Sequence, residues 1–336
     1  MALIFNSMKN ASNSFTISRR QALLGLTAAA FAGATAQVAR ASAPLSVVAT
    51  TGMIADAARI VGGDYVTVQG LMGAGVDPHA YRQTRSDIVA MTRADLVLWH
   101  GLYLEAQMEN FFADLGRKRQ VVSVAEDLPR DLLLAHEDYD GRYDPHVWMD
   151  PKLWARVVNR IRDALTEVRP DAGGQFAANA AGYLEELNAL DSYSQSVLGD
   201  LRVDQRVLLT AHDAFGYFGA AYDFEVLGVQ GISTESEAGL NRITELVNML
   251  VARDIRAVFV ETSVSDRNMR ALIEGAAAQG HEVVIGGSLY SDAMGADGTY
   301  EGTYLGMIDH NVTTIARALG AQAPQGGRLG KLGVNS

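Results

Sequence analysis

The stretch DAGGQFAANAAGYLEELNALDSYSQSVLGDL, residues 171–201, decides the fold. Within it Phe176, Ala180, Tyr183, Leu184, Leu187, Leu190, Tyr193, Val197, Leu198 and Leu201 recur at steps of three and four, which aligns side chains along one face of a helix. One long amphipathic helix is expected, preceded by Pro170, whose fixed φ is tolerated at a helix start. On either side, short β-branched or apolar runs alternate with helical stretches. Leu45–Ala49, Val66–Leu71, Leu96–Trp99 and Val121–Val124 come before the helix; Val207–Thr210, Val226–Leu227, Ala257–Val260 and Glu282–Ile285 come after it. Such alternation marks an α/β fold with parallel-type sheets flanked by helices. Two lobes are expected, residues 44–170 and 203–325, joined by the helix at 171–202 and followed by a tail at 326–336.

The amino terminus reads as an export signal spanning 1–43. Ser18-Arg19-Arg20-Gln21-Ala22-Leu23-Leu24 opens an uncharged, alanine-rich run from Ala22 to Ala34, and small-residue cleavage triplets end at Ala36 and Ala43. The paired arginines resemble a twin-arginine signal, although Ala22 stands where a bulkier apolar residue is usual. Pro44 after the second triplet favours cleavage behind Ala36. The apolar run of 13 residues is shorter than the roughly 20 needed to span a bilayer. Removing residues 1–43, which hold four basic residues and no acid, takes the formal net charge from −11 to −15, a poor match for nucleic acid. None of the 336 residues is cysteine, which excludes disulfides, thiolate zinc sites, a thiol nucleophile and a lipid-bearing cysteine at the cleavage point. A monomer without a lipid anchor, free in the periplasm, is the expectation.

Three motifs each offer one imidazole: Val76-Asp77-Pro78-His79-Ala80-Tyr81, Tyr143-Asp144-Pro145-His146-Val147-Trp148 and Thr210-Ala211-His212-Asp213-Ala214-Phe215. The first two histidines lie 67 residues apart and the third follows 66 later, so only the fold can bring them together. Imidazole is the commonest protein ligand for transition metals near neutral pH, being largely unprotonated there. His79 and His212 follow predicted strands, and ligands of open parallel sheets sit at the carboxyl ends of strands. Asp292, past another predicted strand in Gly286-Gly287-Ser288-Leu289-Tyr290-Ser291-Asp292, is the candidate fourth ligand. Two ligands per lobe would place the metal in the cleft between lobes. His100, His136, His281 and His310 read as ordinary surface or core histidines. Asp77, Asp144 and Asp213 are candidates either to accept an imidazole N–H or to serve local turns, and Glu235 and Glu261 are candidates to line the cleft.

These residues resemble a known family, the periplasmic solute-binding proteins that serve manganese and zinc ABC importers. The resemblance covers nearly all of the chain past the signal. It rests on Asp77-Pro78-His79 with Tyr81 and Asp87, on Asp144 to Pro151, on His212 to Phe218, on Gly231-Ile232-Ser233-Thr234-Glu235-Ser236-Glu237 and on Ser291-Asp292. It implies a rigid linking helix, delivery of the ion to a membrane permease, and metal ligation by His79, His146, His212 and Asp292. Manganese-dedicated members commonly carry glutamate where this chain has His212. Zinc-dedicated members often carry a histidine-rich loop where Leu128 to Tyr143 holds only His136 among acids. Imidazole-rich sites favour zinc over manganese in affinity, a slight lean toward Zn2+ over Mn2+ as the transported ion. The competing class is a zinc-dependent hydrolase built on three histidines with an open position. Against it, the chain has no His-Glu-x-x-His, no Gly-x-Ser-x-Gly and no phosphate-binding glycine-lysine loop. No enzymatic activity is expected, and the surface-adhesin role named for some relatives is disfavoured by the missing anchor.

Overall fold

A computed structural model describes residues 43–136, 139–235 and 238–333. The export signal lies outside these residues apart from Ala43. In the first half, β1 (Leu45–Ala49), α1 (Gly52–Gly62), β2 (Val66–Gly70), α2 (Arg85–Arg93), β3 (Leu96–Trp99), α3 (Glu109–Gly116) and β4 (Gln120–Ser123) alternate. The helices α4 (Pro151–Val168) and α5 (Gly173–Gly199) follow. The second half adds β5 (Val207–Thr210), α6 (Gly216–Tyr222), β6 (Glu225–Gly228), α7 (Leu240–Ala252), β7 (Ala257–Glu261), α8 (Arg267–Ala278), β8 (Val284–Leu289) and α9 (Tyr304–Ala318). Among the described residues no helix is long and apolar enough to cross a membrane.

Every pairing between these strands is parallel. The first sheet has the order β2-β1-β3-β4, with Val47 opposite Val68 on one side and Leu96 on the other. In the second half β5 pairs with β6 and β7 with β8, and β5 lies beside β7. Both halves thereby direct the carboxyl ends of their strands to loops that carry the histidine motifs.

The long helix α5 begins two residues later than expected, after a 3-10 turn at Pro170–Ala172, and its 27 residues extend about 40 Å. Phe176, Ala180, Tyr183, Leu187, Leu190, Val197 and Leu198 are buried, as their spacing predicts, while Leu184 and Tyr193 are partly so. Several glycines cost the helix roughly 1 kcal/mol each relative to alanine, so packing rather than propensity holds it. Its buried face belongs to one continuous apolar cluster with Val47, Leu98, Trp148 and Trp154 of the first half and Leu208, Phe215, Phe259 and Tyr304 of the second. Trp154 and Tyr304 stack at 5.2 Å with planes 17° apart.

Local signals place the helix starts. Asp87 closes a capping box on α2 by accepting the Thr84 amide at 2.7 Å, and it also accepts the Tyr81 hydroxyl at 2.7 Å. Asp150 caps α4 through the Lys152 amide, with Pro151 in the first turn. The Tyr81, Asp87 and Asp150-Pro151 parts of the histidine motifs thus serve helix geometry.

Strand β8 runs past Ile285, where it was expected to end, to Leu289. Gly286 and Gly287 lie inside the strand, where α9 crosses too closely for side chains. A Cβ on Gly287 would overlap Thr314, and one on Gly286 would come within 2.9 Å of both Ala318 and Phe259. Gly287→Val should therefore destabilise the protein by about 2 kcal/mol through overpacking, read as a lower urea midpoint with an unchanged slope.

Candidate metal centre

Four strand-end loops deliver four side chains to one point. His79 follows β2, His146 precedes a 3-10 turn at Val147–Met149, His212 follows β5 and Asp292 follows β8. One ligand-type atom from each lies within 4.8 Å of all the others. His79 Nε2 and His146 Nε2 are 3.2 Å apart, His146 Nε2 is 3.3 Å from Asp292 Oδ1, and His212 Nε2 is 3.2 Å from Asp292 Oδ2. The imidazole centroids form a triangle with sides of 5.2, 5.3 and 6.0 Å. All four side chains are buried, His79 the least so at 4 % exposure.

Supporting carboxylates orient two of the rings. Asp144 Oδ1 accepts the His146 amide at 2.9 Å and its Nδ1–H at 2.7 Å. Glu261 accepts the His212 amide at 2.8 Å through one oxygen and its Nδ1–H at 2.5 Å through the other. Placing the proton on Nδ1 leaves each Nε2 lone pair for the centre, the arrangement that carboxylates impose on metal-binding histidines. Asp77 does different work: Oδ1 accepts the His79 amide at 2.8 Å and Oδ2 accepts the Thr234 hydroxyl at 2.5 Å, tying the His79 loop to the second half. Asp213 donates its amide to the Gly231 carbonyl at 3.3 Å, joining two loops of the second half.

The charges at the centre are strongly displaced. Burial raises the Asp292 carboxyl, but the charges of His212 and His146 outweigh it and hold the group well below its usual range. Burial likewise disfavours charge on His146, yet the carboxylates of Asp144 and Asp292 raise its pKa to about 9. His212 lies well above the usual histidine range: the charges of Glu261 and Asp292 overcome its burial. His79, with no carboxylate bonded to its ring, is pushed down to about 3, first by burial. Despite these close approaches, no hydrogen bond reaches His212 Nε2 or either oxygen of Asp292, and all three atoms are buried. Buried polar atoms are seldom left so, and here they face one another. One cation bonded to all four groups would satisfy them.

The remaining histidines divide. His281 and His310 bring Nε2 to the carbonyls of Ile255 and Ser288, both at 2.8 Å. His100 is fully buried directly after β3, with Nε2 2.7 Å from the Pro145 carbonyl, and so supports the His146 segment, a role the sequence reading missed. His136 is buried and lines a recess of about 10 Å3 beside His79 with Tyr103, Ser233 and Glu235. The opening admits about one water-sized body. The rim chain is bent through Gly101, Leu102 and Tyr103, all at positive φ, a costly arrangement for the latter two. Glu235, expected only to line the cleft, accepts the Gln107 amide at 2.8 Å across it.

The geometry has parallels in known proteins. The family profile described as "ZnuA: Zinc-uptake complex component A periplasmic" matches residues 47–318. The manganese-binding lipoprotein MntA of Bacillus subtilis (strain 168) is 46% identical over 275 residues, covering 82% of this chain and 90% of the relative. The zinc-binding protein TroA of Treponema pallidum (strain Nichols) is 45% identical over 273 residues, covering 81% and 88%. The iron-binding protein YfeA of Yersinia pestis is 31% identical over 274 residues, covering 82% and 86%. The solved structure of periplasmic zinc-binding protein TroA from Treponema pallidum matches with a TM-score of 0.80 at 44% identity, covering 82% of this chain and 99% of that one. With its parallel sheets, long helix and buried three-histidine, one-aspartate cluster, the chain belongs to the zinc-uptake complex component A family of metal-binding solute-binding proteins.

Proposed function

We propose that His79, His146, His212 and Asp292 ligate one divalent transition-metal ion, which the protein captures outside the cytoplasmic membrane and delivers to the permease of an ABC importer. The observation that carries this reading is the set of buried, unpartnered atoms, His212 Nε2 and both Asp292 oxygens, facing the other two Nε2 atoms within 4.8 Å. A cation there repays the burial of the carboxylate and uses every free lone pair. Relatives named for zinc and for manganese are about equally similar, so the donor set has to decide the metal. Three imidazoles favour zinc, which stands above manganese in the affinity order. Manganese is the second reading, favoured by Asp292: both of its oxygens are free, so it can bind through two and raise the coordination number.

The hydrolase alternative finds no support in the family, whose members are solute-binding proteins. A fourth protein ligand would close the zinc to a substrate. Residues 44–170 and 203–325 act in this reading as lobes on the helix at 171–202, with the ion bridging them as two ligands from each. In the same reading export follows the twin-arginine route and the protein works in the periplasm as a monomer; the absence of cysteine from the sequence supports an unanchored form, where relatives are named lipoproteins.

Three outcomes are expected. Metal-stripped protein dialysed against equal, limiting zinc and manganese should retain about one ion per chain by mass spectrometry, mostly zinc. His212→Ala should weaken retention at least tenfold, and equal retention by the variant would rule the ligand set out.

The second outcome concerns pH. His146 has its pKa raised from 6.5 to about 9, so in the metal-free protein its contribution to stability is fully present below pH 6.5 and is lost as pH rises through 9. An ion must displace that proton, so the zinc-induced rise in Tm should grow from pH 6 to pH 9, with proton release visible by calorimetry in buffers of different ionisation enthalpy. At a thousandfold excess over Kd the stabilisation should approach about 4 kcal/mol.

Thirdly, osmotic shock should release the mature protein in soluble form. Recovery in the membrane fraction with incorporated fatty acid would show that it shares the lipoprotein state of its relatives.

A further inference from the structure

Trp148 lies two residues after His146 and is fully buried, with its ring edge-on to His100 at 5.0 Å and 5.2 Å from the His146 ring. Its indole N–H does not stay within its own half. It donates to the carbonyl of Ser291 at 2.8 Å, the residue that immediately precedes Asp292. Its own carbonyl accepts the Tyr304 hydroxyl at 2.8 Å, so backbone and side chain of one residue both reach the second half.

Ser291 is a meeting point. Its hydroxyl lies 2.9 Å from that of Ser263, two residues beyond the Glu261 that orients His212. Through its carbonyl it is held by the His146 segment, and through its hydroxyl by the His212 support. Asp292 itself receives no hydrogen bond on either oxygen. The aim of its carboxylate therefore depends on the preceding peptide, and the carbonyl of that residue is fixed by the indole of Trp148.

We propose that Trp148 is a positioning residue of the metal centre: its N–H holds the Ser291 carbonyl and thereby sets Asp292 against His146, making ligands from the two halves mutually dependent. The inference rests on the ligand reading above. Groups that orient metal ligands without touching the ion commonly change affinity by about 10–100-fold when removed. Loss of the N–H also leaves a buried carbonyl without its partner, which loosens this one loop while the apolar core around the ring persists.

The test compares Trp148→Phe with Trp154→Phe. Trp154 is equally buried, but no hydrogen bond engages its Nε1, so its variant reports the loss of ring volume and of stacking on Tyr304 without the loss of a bonded indole donor. Zinc binding is measured by competition with a chromophoric chelator, dissociation by chelator-driven stopped flow, and stability by urea unfolding of the metal-free chains. Trp148→Phe should weaken zinc binding about tenfold or more, chiefly through faster dissociation, whereas Trp154→Phe should lower stability as much while leaving Kd within about twofold.

In an Asp292→Asn background, Trp148→Phe should have no further effect on the residual zinc affinity, because the group it positions is already disabled. Replacing Trp148 with 3-benzothienylalanine, which keeps the fused-ring shape but lacks the donor, should reproduce the phenylalanine defect. Normal zinc affinity in that analogue, or equal weakening by Trp154→Phe, overturns the proposal. Unchanged affinity in Asp292→Asn alone would instead overturn the ligand reading, and this inference with it.

Discussion

A carboxylate buried with no hydrogen bond to either oxygen is the constraint around which this molecule is arranged. Asp292 would be untenable alone, since removing an ionised carboxyl from water costs several kcal/mol even after relaxation. Three imidazoles surround it. Two are themselves backed by carboxylates: Asp144 behind His146 and Glu261 behind His212. The centre is therefore a nest of alternating charges whose formal balance shifts with protonation and which, in the reading proposed above, a divalent cation would complete. Each supporting carboxylate also accepts the backbone amide of the histidine it orients, so ring direction and chain path are fixed by the same group.

That constraint explains why the two halves repeat one plan. Parallel sheets bring the carboxyl ends of their strands to one edge, and loops at that edge can carry residues without disturbing the layers. His212 and Asp292 sit on loops that leave β5 and β8 directly, and Glu261 ends β7. His79 and His146 need longer approaches, and those approaches are held by their own devices: the Asp77 carboxylate for one, the His100 imidazole under Pro145 for the other.

Much of this was legible in the chain. The spacing from Phe176 to Leu198 marked α5, the β-branched runs marked the strands, and the strand-end positions of His79 and His212 pointed to the edge at which the four side chains cluster. What escaped was non-local. Nothing near Glu261 reveals that it will meet His212, 49 residues earlier, because the pairing depends on β5 lying beside β7. The strand expected to end at Ile285 continues through Gly286 and Gly287 to Leu289, and the helix that requires glycine there lies some thirty residues downstream. His100 looked ordinary because its partner is a backbone carbonyl, which has no signature in sequence.

The apolar cluster shared by the two halves has a consequence for how such proteins diversify. Trp148 and Trp154 pack in one continuous interior with Phe215, Phe259 and Tyr304, so the border between the halves is a packed seam. A chimera assembled from the first half of one relative and the second half of another would have to match that seam side chain by side chain, or lose a few kcal/mol at each misfit. Metal preference in this architecture is therefore more readily altered by exchanging single ligands and the residues that aim them than by shuffling whole halves.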